Sequence, residues 1–171
     1  MKKVIVLAIL AMSASISFAD SSYCIGSGYM MPDFGLLYTY NVGCTWTGKA
    51  ISESRMVPFY ATEKTKSILE ARAASKLSQL GVISIAVLGP YKVYSNVPRT
   101  KDELFCIVND RSLGGYDSIA CDDGVKLSTD ALNKESNTQI LINNGFSKVA
   151  DVKNVSDWGG RRNTVSIFSK K

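Results

Sequence analysis

Four cysteines, Cys24, Cys44, Cys106 and Cys121, constrain this chain more than any other feature, because they are even in number and all follow an export leader. Lys2 and Lys3 make a basic start, Val4 to Met12 an apolar run, and Ser17-Phe18-Ala19 a small-x-small cleavage site before Asp20. This is the succession of a secretory signal peptide, occupying residues 1–19. The apolar run is too short to span a bilayer, so no transmembrane anchor is expected in the mature chain. Disulfides persist in oxidising compartments, and the prediction is a periplasmic or secreted protein with two bridges. The short Met-Lys-Lys leader reads as bacterial.

The pairing follows from a hairpin. Leu104 to Asn109 and Tyr116 to Cys121 are strand-like, and Asp110 to Gly115 between them carries turn chemistry. Folding about Leu113-Gly114 places Cys106 opposite Cys121, where directly opposed Cα atoms lie about 4.5–5.5 Å apart, within disulfide reach. Cys24 then bonds Cys44 by elimination. A four-cysteine zinc site would want close Cys-x-x-Cys pairs, and the sequence has none.

The mature chain, Asp20 to Lys171, has 152 residues (171 less the leader's 19), enough for the single α+β domain expected here. Without Lys2 and Lys3 its 18 basic residues face 15 acidic ones. The excess is small and the basic residues are scattered, so no nucleic acid partner is expected.

Leu36 to Gly48 alternates an apolar row (Leu36, Tyr38, Tyr40, Val42, Cys44, Trp46) with a mostly polar one, the pattern of a half-buried strand. Thr62 to Leu80 changes to helical spacing, with Ile68, Leu69, Ala73, Leu77 and Leu80 on one side and Gly81 as its stop. Val82 to Leu88 is apolar and nearly unbroken, which predicts a buried central strand, and Tyr91 to Tyr94 resumes pairing after Gly89-Pro90. Ser128 to Asn144 reads as a second helix capped by Ser128 or Thr129. The β-branched stretch at 139–142 and Asn144-Gly145 leave a hairpin as the competing reading of residues 139–153. Phe146 to Val155 and Thr164 to Phe168 are strands around Trp158-Gly159-Gly160. The predicted architecture is one mainly antiparallel sheet of about six strands with two helices packed on one face. The order strand, helix, strand, strand recurs from Leu36 to Asn109 and from Tyr116 to Phe168, without residue-level identity to mark a duplication.

Known chemical motifs fail instructively. Gly43 to Lys49 has the spacing of a phosphate-binding loop, but Ala50 stands where a Ser or Thr must bind magnesium. Gly26-Ser27-Gly28 meets Met31 at the third glycine position of a dinucleotide fingerprint. No cofactor or metal is therefore expected. The chain contains no histidine, which removes Ser-His-Asp and Cys-His catalysis and histidine-ligated zinc. A carboxylate pair of the glycosidase kind survives, with Asp122-Asp123, Asp102-Glu103 and Glu70 as the available acids. Asp157-Trp158-Gly159-Gly160-Arg161-Arg162 has the composition of a contact surface, which makes Trp158, Arg161 and Arg162 the candidate binding residues. The expectation is an exported non-catalytic binding or accessory protein that contacts a protein or envelope component. A small histidine-free envelope glycan hydrolase is the alternative. Oligomeric state does not follow from the sequence.

Overall fold

The computed structural model describes residues 21–31, 37–46, 51–56, 62–110, 118–128, 136–156 and 162–171. The expected leader and its cleavage site lie outside them. The described elements are β1 (Tyr23–Met31), β2 (Leu37–Cys44), β3 (Ile51–Met56), α1 (Thr62–Ser78), β4 (Ile83–Leu88), β5 (Tyr91–Ser95), β6 (Leu104–Asp110), β7 (Ser118–Cys121), α2 (Asn137–Asn143), β8 (Ser147–Ser156) and β9 (Arg162–Lys170).

The fold is α+β, but the single six-stranded sheet with both helices on one face is replaced by two antiparallel sheets. Their strand orders are β3-β2-β1-β5-β4 and β7-β6-β9-β8. The sheets pack face to face. Tyr23, Ile25, Leu88 and Val93 of the first meet Phe105, Ile107, Val152, Val165 and Ile167 of the second in the central core. Each helix covers an outer face. Leu69, Ala73 and Leu77 of α1, one stripe at steps of four, lie over Tyr40, Val42 and Tyr94. Leu141 of α2, with Phe146 just beyond it, lies over Cys106, Val108 and Phe168.

Cys24 is bonded to Cys44 and Cys106 to Cys121, the expected connectivity. Both bridges join directly opposed residues of neighbouring strands. Two other expectations need correction. Val82 to Leu88 does not form a central strand, because β4 is the edge of its sheet and leaves Ile83 and Val87 51% and 62% exposed. An apolar run cannot show which flank of a strand is paired. The second helix is shorter than Ser128 to Asn144 and is capped by Ser136, whose hydroxyl accepts the Gln139 N–H at 3.2 Å. Asn144-Gly145 ends this helix rather than turning a hairpin. The strands β1 and β3 had no sequence signal: glycines interrupt the alternation of β1, and β3 is a polar edge.

The two halves repeat one plan, position by position. Both run hairpin, helix, hairpin, and once β3 is set aside their strand orders correspond, β2-β1-β5-β4 to β7-β6-β9-β8. Cys24 pairs Cys44 and Tyr94 across β1's two flanks, as Cys106 pairs Cys121 and Phe168 across β6's. The β4–β5 ladder slips between Ser84 and Ala86, and the β8–β9 ladder slips at the same step, between Lys148 and Ala150. Each helix ends alike. The Gly81 and Val82 N–H groups donate to Ser78 and Leu77 carbonyls at 3.0 Å, and the Gly145 and Phe146 N–H groups to those of Ile142 and Leu141 at 3.0 Å. Gly81 and Gly145 occupy the left-handed region (φ 74° and 83°) that this cap requires. The repeat therefore runs from β1 to β5 and again from β6 to β9, which moves Leu104 to Asn109 from the end of the first unit to the start of the second.

Candidate functional site

The cleft of interest, about 320 Å³, lies between the first half of α1 and the β4–β5 hairpin. Its floor, Tyr40, lies over a glycine of β1. Gly26 and Gly28 face α1 from the middle of the sheet, and a Cβ on either would overlap the Tyr40 or Tyr38 hydroxyl respectively. The two rings lie across the glycines instead. Tyr40 donates or accepts a hydrogen bond with Tyr94 at 3.0 Å beneath the helix.

Glu63, Lys66, Ser67 and Glu70 of α1 form one wall, Val87, Gly89, Pro90, Tyr91 and Lys92 the other, and Tyr40 the floor. Lys92 reaches across to Glu70 at 3.5 Å. The Ser67 hydroxyl donates to the Glu63 carbonyl at 3.1 Å, so it is held by its own helix. Burial is the first cause raising the phenol pKa values of Tyr38, Tyr40 and Tyr94, and Glu70 adds to it in all three. The tyrosines therefore remain neutral donors well into alkaline solution. The Tyr38 hydroxyl is buried and has no hydrogen-bond partner among the described residues.

Of the acids considered from sequence, only Glu70 lines the cleft. Asp122 is structural: its carboxylate accepts the Phe105 N–H at 2.7 Å and forms a two-armed pair with Arg99 at 3.0 and 2.9 Å. Arg99 also donates to the Glu103 and Ile85 carbonyls at 2.9 and 3.3 Å, tying the edge of one sheet to the other. Glu103 is buried, with its carboxylate accepting the Thr100 N–H at 3.4 Å. Asp102 and Asp123 are exposed and away from the cleft. Glu63 and Glu70 stand on the same helix seven residues apart, about 10 Å along its axis, rather than facing each other.

Trp158 and Arg161 lie outside the described residues. Arg162 is exposed at the head of β9, paired in register with Ser156. The sequence reading missed the cleft. Its available signal was the Gly-x-Gly of β1 beside the Tyr-x-Tyr of β2, a pattern in which aromatic rings cover strand glycines. Among the described residues no group of three or more His, Cys, Asp or Glu is placed to hold a metal, and no helix is long and apolar enough to cross a membrane. No protein-family model, curated protein or solved structure matches the chain.

Proposed function

We propose that this is an exported, non-catalytic binding or accessory protein, acting in the periplasm or outside the cell on a protein or envelope component. The observation that carries this reading is the state of the acids in the cleft. Glu70 is paired with Lys92 and Glu63 is two turns away on the same helix, so the cleft lining offers recognition groups without a facing pair of carboxylates. The expected leader and the two disulfides support export. The tract ending in Trp158, Arg161 and Arg162 is proposed as a contact surface on its composition.

Intact mass of exported material should begin at Asp20, and full-length protein confined to the cytoplasm would refute export. Capture from an envelope fraction, using the oxidised protein as bait, tests binding. Trp158→Ala should then weaken the captured complex by about 2 kcal/mol or more with the melting temperature unchanged. A large fall in melting temperature would instead assign Trp158 to packing. Cleavage of an envelope polymer that disappears on replacing one Asp or Glu would overturn the non-catalytic reading.

A further inference from the structure

We propose that the cleft between α1 and the β4–β5 hairpin binds a neutral saccharide of one or two rings. This rests on the reading of the chain as a binding protein and names the ligand class. The volume of about 320 Å³ sits at the small end of ligand pockets. The charges select the chemistry. Glu63, Lys66 and Glu70 follow one stripe of α1 at steps of three and four, alternating in sign about 5 Å apart, and Lys92 faces them from the hairpin. Two carboxylates and two ammonium groups sum to no net charge, so the cleft as a whole favours neither an anion nor a cation. A zwitterion would satisfy one pair and strip water from the other. A hydroxyl both donates and accepts, and a ring of hydroxyls matches a wall of alternating acceptors and donors. The Glu70–Lys92 separation of 3.5 Å is long for a charged hydrogen bond, leaving both groups able to take a ligand hydroxyl. Val87, 62% exposed, and Pro90 supply the apolar surface on which the C–H face of a sugar ring rests.

The second half of the molecule shows that the fold does not require these residues. Where the first half has Gly26, Tyr91 and Lys92, the second has Val108, Val165 and Ser166 at the same register positions. Asp151 replaces Val87. The same ladders and the same bridge form with a valine filling the place of Gly26. The cleft-lining Val87, Tyr91 and Lys92 are thus residues that the shared framework leaves free.

The test is titration of the oxidised, isotopically labelled protein with three neutral disaccharides, built from glucose, galactose and N-acetylglucosamine, followed by backbone amide shifts. Saturable shifts confined to Ser67, Glu70, Gly89 and Lys92 with at least one sugar are expected. Lys66→Ala and Glu70→Gln should each weaken that binding at least fivefold while the spectrum elsewhere stays native. Glu70→Gln keeps the side chain's shape, which separates lost recognition from lost structure. No localised shift with any of the three sugars, or an equal response to glycylglycine or glutamate, overturns the saccharide assignment and leaves capture from the envelope as the separate judge of binding. Breakdown of the bound sugar would overturn the non-catalytic reading while the saccharide site stood.

Discussion

The half built from β1 to β5 and the half built from β6 to β9 share a topology, a bridge, a ladder slip and a helix cap, yet their outer layers differ in kind. Over the first sheet, α1 covers Tyr38, Tyr40 and Tyr94 and leaves a charged cleft beside them. Over the second, the short α2 closes a layer of Leu141, Phe146, Val108 and Phe168. Tyr94 and Phe168 occupy one register position opposite the equivalent cysteines, and so report the difference directly. A hydroxyl at this position needs a partner and finds Tyr40; a phenyl needs only contact. What recurs in both halves is what the backbone frame needs. What differs is where chemistry has room.

The largest expected asymmetry concerns the residue after each bridge. The Tyr23 N–H is accepted by the Thr45 hydroxyl at 3.3 Å, and the equivalent Phe105 N–H by the Asp122 carboxylate at 2.7 Å. Asp122→Ala also strands the half-buried Arg99, and should cost about 3 kcal/mol or more in chemical denaturation. Thr45→Ala should cost about 1 kcal/mol. Equal losses would show that the Arg99 network does not hold the sheets together.

The bridges should instead behave alike. Their loops span 20 and 15 residues, for which closure entropy gives about 3 kcal/mol in each case. Replacing Cys24 and Cys44 together, or Cys106 and Cys121 together, by serine should lower the stability by similar amounts. A gap of several kcal/mol would mean that one half folds only on the template of the other.

Alkaline solution should separate the halves with a smaller effect. The phenols of Tyr38, Tyr40 and Tyr94 titrate above the ordinary 10.0 because burial disfavours their charged forms. Below pH 10 the folded and unfolded chains hold the same phenolic protons, and this contribution is fully present. Above it the unfolded chain loses protons first, so stability falls as pH rises toward the folded values. Hydrogen exchange at rising pH, corrected for its intrinsic rate, should expose β1 and β2 before β6 and β9. Tyr40→Phe should flatten this slope while changing neutral-pH stability by about 1 kcal/mol. Earlier loss of protection in β6 would contradict the assignment of the buried phenols to the first half.

Much of the local structure was legible. The alternation through Tyr38, Tyr40 and Val42 located β2, the Leu69, Ala73 and Leu77 stripe located α1, and turn chemistry before Tyr116 set the Cys106–Cys121 register. These signals are local, because side-chain period and turn residues act within a few positions of the chain. The candidate site was much less legible: Glu70 was singled out as an acid, whereas Lys66 and Lys92 carry no motif. Each gains meaning only from a neighbour on another element.

By itself the sequence determined the class α+β, the bridging partners, the first helix with its glycine stop, and most of the strands, since period, cap and turn chemistry are written into adjacent residues. Only the tertiary structure decided that the strands divide between two sheets, that the helices lie on opposite outer faces, and that the uncharged β4 is an edge. Strand partnership is settled by packing between distant segments. Ile25 and Ile107 are both buried isoleucines at equivalent positions of central strands, and their meeting in the central core depends on how two separately built sheets press together.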